Sequence, residues 1–327
     1  MKRWTIPLSL IAAVPMAIAG FAMSGTSADA RDFVRVATAG SGGNYYRLGS
    51  GLAAIWNDKV PDVQASIQAT GGTVENLDLL AEKQVEIAYL AGSVGKQAYD
   101  NTGTFAQRPK DRYKGLRAIA TVYPNPQWFI AMQWAPEIKS LKDLKGKRVS
   151  VGTQGSQGEA WWRMIMGHLG MTYSDISAEY TVHQSAIDQV RNRRIDAIVW
   201  PDAPGSSSIQ QVMDTGFARI IDIDADVVAF MDAQGLDYPY TIPGEHVPSS
   251  KQPVKTFAAP TTLASHAEVS DELVYNLVKT MFENKERLIG VHPLANFMTL
   301  ENALDGLPFP LHPGAEKFYA EKGMKAK

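Results

Sequence analysis

Short apolar runs alternate with amphipathic segments along most of the chain. The runs predict buried strands at 34–39, 63–69, 86–90, 116–123, 127–132, 148–152, 180–182, 195–200, 219–223, 254–259 and 261–265. Apolar residues at helical spacing, such as Leu48, Leu52 and Ile55, predict helices after several of these strands, with longer ones at 271–288 and 313–322. Strands that alternate with helices in this way predict an α/β fold.

Glycine-rich turns join strand to helix at 40–43, 71–73 and 152–158. Such a turn points the backbone N–H groups of the helix start at one spot, which suits a carboxylate or a phosphate. The dinucleotide pattern G-x-G-x-x-G is broken by Tyr45, and no Gly-Lys-Ser/Thr follows. A tight turn without any ligand is the alternative. In the third turn, Ser156 and Glu159 form the S-x-x-E pattern of a capping box.

Two turn-rich segments divide the pattern. Pro124 and Pro126 stand between two strand-like runs, and 238–255 is rich in proline and glycine, so we expect it to be loop. Two crossings predict two lobes, the first made of 31–125 plus 255–327 and the second of 126–254. A length of 327 residues is sufficient for two medium-sized lobes.

The first 30 residues have the features of a secretory signal peptide. Lys2 and Arg3 precede an apolar run at 6–23, and Ala28-Asp29-Ala30 is a small-x-small cleavage site. An uncleaved membrane anchor is the alternative. We expect a periplasmic, soluble protein that is not a lipoprotein, since the chain has no cysteine to carry a lipid, a disulfide or a thiolate site.

The charge of the exported part argues against nucleic acid as a partner. Without residues 1–30 the chain keeps 30 of its 32 basic and 33 of its 34 acidic residues, a net charge of −3. We expect a monomer.

Three segments carry a resemblance to a known family: Ala39-Gly40-Ser41-Gly42-Gly43-Asn44-Tyr45-Tyr46, the glycine turn at 68–77, and the C-terminal 310–319. The chain resembles the TAXI family, the extracytoplasmic solute receptors of TRAP transporters. The resemblance implies a type II periplasmic binding protein fold, with two α/β lobes joined by a two-strand hinge. It also implies that the receptor delivers glutamate, 2-oxoglutarate or a related carboxylate to TRAP permease membrane subunits, driven by an ion gradient.

A two-lobed receptor binds its solute where loops at the carboxyl ends of strands meet. We expect the phenol of Tyr45 to reach this cleft and Trp128 to form an apolar wall. Trp200 and Asp202 select for an amine or exclude a second carboxylate. The alternatives are that Tyr45 is a core aromatic residue, that Trp128 packs in the hinge, and that Trp200 and Asp202 form a surface turn. The predicted ligand-binding residues are Ser41, Asn44, Tyr45, Thr70, Gly72, Asn76, Trp128, Gln154, Gly155, Ser156, Gln157, Trp200 and Asp202.

The sequence contains no recognisable catalytic pattern. Its six histidines are scattered without metal-ligand spacing, and there is no G-x-S-x-G elbow. We therefore expect no enzyme activity, no cofactor and no metal site. Two other hypotheses stay open: a receptor for an ATP-driven importer or a sensor kinase, and a periplasmic enzyme on the same scaffold.

Overall fold

The computed structural model describes residues 31–325 apart from positions 42, 155, 182 and 236. The predicted signal peptide, 1–30, lies outside the described residues. The strands are β1 (Asp32–Ala37), β2 (Val63–Gln68), β3 (Ile87–Ala91), β4 (Leu116–Met132), β5 (Arg148–Ser150), β6 (Ser177–Glu179), β7 (Ala197–Pro201), β8 (Ala218–Ile221), β9 (Tyr238–Ile242) and β10 (Val254–His266).

Helices pack against the sheet formed by these strands. They are α1 (Asn44–Lys59), α2 (Thr73–Ala81), α3 (Gly92–Asp100), α4 (Gln157–His168), α5 (His183–Arg191), α6 (Ser207–Asp214), α7 (Ala225–Ala233), α8 (Asp271–Glu283), α9 (Lys285–Val291) and α10 (Pro313–Glu321). Within the described part of the chain, none of them is long and apolar enough to cross a bilayer.

The strands follow one another in the order β2-β1-β3-β10-β4-β7-β5-β6, with β8 on β4 and β9 on β10. Pairing is parallel among β1, β2 and β3 and among β5, β6 and β7. The two parallel groups are joined by β4 and β10, which pair antiparallel. The predicted α/β class, with two lobes on a pair of connecting strands, is confirmed.

The connecting strand β4 is longer than its sequence suggests. The runs 116–123 and 127–132 were expected as separate strands with a crossing at Pro124 and Pro126, but they form one continuous strand. In the register of the β4–β10 pair, Pro124 lies opposite Pro260, and Pro126 lies opposite Ala258. Proline has no N–H to donate, so the chain passes between the lobes with a weakened ladder rather than with a turn.

Separate hydrophobic clusters fill the two lobes. The first cluster contains α1 and α8, which Trp56 ties together by donating its indole N–H to the carbonyl of Leu277 at 3.0 Å. The second lobe has two clusters, one around Trp161 and Trp162 and one around Trp128 and Trp200. The exact lobe boundaries, 31–125 with 255–327 and 126–254, stay a prediction.

Several expected elements differ from the observed ones. The expected loop at 238–255 contains β9, which pairs with β10 although it carries Pro239. Of the expected strand at 180–182, the described positions 180 and 181 are not in a strand, since β6 ends at Glu179, and position 182 lies outside the described residues. The long helix expected at 271–288 is broken at Asn284, whose side-chain amide donates to the carbonyl of Thr280 at 2.9 Å and so competes with the helical ladder.

Candidate functional site

Parallel pairing places the ends of several strands at the same edge of each lobe. In the first lobe β1, β2 and β3 lead into α1, α2 and α3, and in the second lobe β5 and β7 lead into α4 and α6. The gap between these two sets of helix starts is called the cleft below. Backbone N–H groups from both lobes therefore point towards one space.

No side chain of the described residues accepts a hydrogen bond from the first backbone N–H groups of α1. Its N-cap is Gly43, no side chain caps it, and its first turn holds no acidic residue. Ser41 is exposed in the preceding turn, and Asn44 is half-buried at the first helical position. These features leave the positive end of the α1 dipole open to the cleft.

A cavity of about 550 Å³, called the main cavity, opens beside this helix start. One wall is formed by Gly43, Asn44 and Arg47 of the first lobe. The facing wall is the segment 202–208, which leads into α6, and a third wall is 292–297. Residues from both lobes therefore enclose the same space.

Arg47 supplies the positive charge of the main cavity. It is exposed, and its guanidinium makes no hydrogen bond or ion pair with the residues that the structure describes. His292 lies in the same lining, and burial, with the nearby Arg47 charge, lowers the pKa of that imidazole. The lowered pKa favours the neutral form of His292, so the positive charge of this part of the lining comes from Arg47.

Tyr45 lies deep beside the same helix start. Its ring stacks on Tyr89, with centroids 5.3 Å apart, and is partly exposed. Burial raises the pKa of Tyr45 to about 12, an effect that hydrogen bonds with Thr73 and Thr261 oppose. Burial also raises the pKa of Tyr123, which interacts with Tyr45. These phenols stay protonated at neutral pH and act as neutral donors.

The second glycine turn is a scaffold. Asn76 has no exposed surface and donates to the carbonyls of Thr38 at 2.6 Å and Tyr89 at 2.7 Å. The hydroxyl of Thr70 lies 2.6 Å from Asn76 Oδ1. In this conformation Asn76 has no atom free for the solute contact that the sequence predicted, and its bonds instead tie the ends of β1 and β3 together.

The start of α2 holds a glycine with a positive φ and a carboxylate that competes with an external anion. Gly72 precedes the helix with φ of 108°, a conformation that L side chains rarely adopt, so glycine is required there. The carboxylate of Glu75 accepts the N–H of Gly71 at 2.6 Å. The protein's own carboxylate thus takes the place that a solute would occupy.

The third turn contributes the second lobe's side of the cleft. Ser156 accepts the N–H of Glu159 at 3.3 Å, which confirms half of the predicted capping box. Glu159 instead contacts Arg163 and Tyr173. Gln154 is exposed, and Gly155 lies outside the described residues.

Gln157 bridges the two lobes. Its side-chain N–H donates to the hydroxyl of Ser93 at 2.9 Å, and its oxygen accepts from Asn125 at 3.2 Å. A smaller cavity of about 290 Å³ lies beside it, lined also by Ser156 and Trp200. The polar groups of the third turn therefore meet the first lobe directly.

The two predicted tryptophans are buried and hold the wall of the main cavity in place. Trp128 is fully buried and donates its indole N–H to the carbonyl of Asp202 at 2.8 Å. Trp200 is 1% exposed within the same hydrophobic cluster. The carboxylate of Asp202 accepts from the N–H of Ala203 at 2.8 Å and from the hydroxyl of Ser208 at 2.5 Å. Asp202 lines the cavity while it anchors the segment 202–208.

Sequence reasoning missed several residues of the cleft. Arg47 follows Asn44 by three positions, so helical spacing was a signal for their shared face. Tyr89 and Tyr123 lie inside apolar strands, where an aromatic residue usually means core. Ser93 was missed because it lies in the first turn of α3, which follows the predicted strand at 86–90. Among the described residues, no cluster of three histidine, aspartate or glutamate side chains is arranged to hold a metal ion.

The family model described as the NMT1-like family matches residues 36–323 of this chain. Three solved structures share its fold at low sequence identity. A Xanthomonas citri protein bound to ATP has a TM-score of 0.54 at 10% identity, with 88% of this chain and 94% of that chain covered.

PhnD1 from Prochlorococcus marinus, in complex with methylphosphonate, has a TM-score of 0.51 at 13% identity, covering 81% of this chain and 90% of its own. The probable amino-acid ABC transporter extracellular-binding protein ytmK from Bacillus subtilis has a TM-score of 0.50 at 14% identity, covering 82% and 98%. At these identities the likeness shows the fold alone, which is that of type II periplasmic binding proteins.

We expect Asn76→Ala to lower the free energy of unfolding by about 2–4 kcal/mol, because it leaves buried carbonyl groups without donors. Urea unfolding measures this loss. Asn192→Ala is the matched control: its amide donates to a single carbonyl, that of Asp188, on an exposed surface, and should change stability by less than about 0.5 kcal/mol. Equal effects of the two substitutions would contradict the scaffold role.

Proposed function

This chain belongs to the NMT1-like family, and we propose that it is a receptor that captures a small organic anion in the cleft and delivers it to a membrane permease. The observation that carries this proposal is the main cavity, which both lobes enclose and which Arg47 enters without an ion-pair partner among the described residues.

The groups on the first-lobe wall of the main cavity favour an anion over a cation. Arg47 and the uncapped start of α1 are positive, whereas the negative carboxylate of Asp202 on the facing wall is held by the N–H of Ala203 and the hydroxyl of Ser208. A helix start contributes about 0.3–1 kcal/mol to binding an anion when exposed and up to about 2 kcal/mol when partly buried. A hydrogen bond to a charged group adds about 1.5–3 kcal/mol. Together these contributions to the binding free energy are large enough to hold a carboxylate in the cavity.

The size and lining of the main cavity limit the kind of molecule that can bind there. A volume of about 550 Å³ lies in the range of roughly 300–1,000 Å³ that is typical of small-ligand sites. Leu294 and Phe297 offer an apolar surface on one side, and Ser206 and Ser207 offer hydroxyls on the other. We propose a carboxylate with a short carbon skeleton, and the resemblance to TAXI receptors favours glutamate, 2-oxoglutarate or a related organic acid.

Binding is proposed to close the cleft. The solute first meets the start of α1 on the first lobe, and the segment 202–208 of the second lobe then covers it. The hydrogen bonds of Gln157 with Ser93 and Asn125 connect the third turn to α3 and β4, as a closed cleft requires. No covalent chemistry is involved in this cycle.

The permease is proposed to be of the TRAP type, with the receptor in the periplasm. Support comes from the three segments that resemble TAXI receptors, at 39–46, 68–77 and 310–319. A receptor for an ATP-driven importer would use the same fold and the same cleft, so the energy source of uptake distinguishes the two.

Arg47→Gln should weaken binding of the carboxylate by about 10- to 100-fold, because it removes a charged hydrogen bond worth about 1.5–3 kcal/mol. The ligand is first identified by thermal shift with amino acids, 2-oxo acids, dicarboxylates and sulfonates, on protein refolded to remove bound solute. At about 100 times its Kd, a ligand stabilises the fold by about 2.7 kcal/mol.

Arg191→Gln is the control for this substitution, since Arg191 is exposed on α5 and pairs with Asp188. Unchanged affinity in Arg47→Gln would reject the placement of the anion but not the receptor. No stabilisation by any compound, from a protein shown to be folded, would reject the receptor itself.

Uptake of the identified solute should depend on an ion gradient. In cells that express this chain with its permease, an ionophore that collapses the gradient should abolish uptake while ATP is still present. Uptake that survives the ionophore and stops on depletion of ATP would contradict the TRAP assignment and indicate an ATP-driven importer.

A further inference from the structure

A third, still smaller cavity lies next to a carboxylate that has no hydrogen-bond partner among the described residues. Asp237 precedes β9, is 6% exposed, and neither of its carboxylate oxygens has a hydrogen-bond partner in the described structure. It lines a cavity of about 170 Å³ together with Gly92 and Lys96 of α3 and with Gly306. None of the residues of this cavity lines the main cavity.

A buried carboxylate without a partner is costly, because it has lost its hydration. Burial raises the pKa of Asp237 well above its usual range, and the indole of Trp161 opposes this effect only in part. The Nε1 atom of Trp161 is itself buried without a hydrogen-bond partner. A proton would neutralise the charge, with the indole N–H of Trp161 as a donor for the remaining carbonyl oxygen, and is therefore the alternative to a bound cation.

The groups around Asp237 are mainly negative or already paired. Asp232 lines the same cavity, and the negative charge of Asp305 acts on the adjacent Tyr238. Lys96 also lines the cavity, but its ammonium donates to Asp100 at 2.6 Å. The start of α3 at Gly92 has no side-chain cap, and its dipole favours the ionised form of Asp237.

We propose that this cavity binds a small monovalent cation, either an alkali-metal ion or the ammonium group of a small solute, through the carboxylate of Asp237. Protein oxygen atoms are the ligands that such cations prefer, and Pro260, whose ring and carbonyl oxygen pack against Gly92, is another lining residue. The volume holds a cation with several waters, at roughly 30 Å³ each.

A single positive charge fits the site better than a divalent ion. Within the described ranges, no group of three histidine or carboxylate side chains could hold a metal ion. Asp237 offers one uncompensated negative charge. One monovalent cation neutralises that charge and keeps the carboxylate ionised, whereas a proton removes the ionised form. The site also joins the two lobes, since α3 belongs to the first and Asp237 to the second.

The test is thermal unfolding of the purified protein in choline chloride, with sodium, potassium, ammonium or methylammonium chloride replacing choline at constant ionic strength and above neutral pH. We expect one of these cations to raise Tm in a saturable manner, by roughly 2–5 °C at ten times its Kd. A response to sodium or potassium indicates an alkali-metal site, and a response to ammonium or methylammonium indicates an ammonium site.

Asp237→Asn keeps the shape of the side chain and should abolish the saturable shift. Asp188→Asn, at an exposed carboxylate paired with Arg191, should keep it. The proposal is overturned if no cation differs from choline in the unsubstituted protein, or if the shift persists in Asp237→Asn. Should that variant fail to fold, saturable broadening of the sodium-23 NMR line that potassium or ammonium reverses decides the question on the unsubstituted protein, and its absence together with a flat Tm overturns the proposal.

Discussion

The antiparallel pair of β4 and β10 is the constraint on which the rest of the structure depends. These strands pass through both lobes, and their register runs from Ala258 opposite Pro126 to His266 opposite Leu116. The same pair positions the wall of the main cavity. The carbonyl of Pro126 accepts the N–H of Asp202 at 3.1 Å, while Trp128 donates to the carbonyl of that residue. A movement at the proline-containing crossing therefore moves the segment 202–208 directly.

The helix starts around the cleft differ in which side chain, if any, accepts a hydrogen bond from their backbone N–H groups. Glu75 accepts an N–H beside the start of α2, Ser156 caps α4, and Ser206 caps α6 by accepting the N–H of Ile209. The starts of α1 and α3 have no such cap. The chain thus neutralises some of its helix dipoles internally and leaves others facing cavities. This selective capping, rather than the glycine turns alone, determines where an external charge can bind.

Local pattern was sufficient to predict the α/β class and the three glycine turns with their helices. It failed where a distant partner decides the conformation. Residues 116–132 form one strand because β10 pairs with 116–126 while β7 and β8 pair with 127–132. Pro239 sits in a strand because β9 pairs with β10. At the site, Tyr45 was expected from its place after a glycine turn, but its stacking on Tyr89 depends on long-range packing.

The sequence does not show whether the side-chain amide of an asparagine in a glycine turn hydrogen-bonds to a solute or to the backbone. The bonds of Asn76 to backbone carbonyls could therefore not be predicted. Arg47 was missed for a related reason. A single basic residue on an amphipathic helix is usually solvated, and only the cavity around it gives its charge a function. Asp237 likewise stands out only once its burial is known.

The central claim is that a solute draws the two lobes together. Val74 at the start of α2 and Tyr180 after β6 are exposed, at 46% and 44%, and follow the two strands at opposite ends of the sheet order. Because the chain has no cysteine, Val74→Cys with Tyr180→Cys allows specific attachment of two spin labels. Double electron–electron resonance should then show a shorter and narrower distance distribution when the stabilising carboxylate is added. A distribution that stays the same at saturating solute would contradict closure.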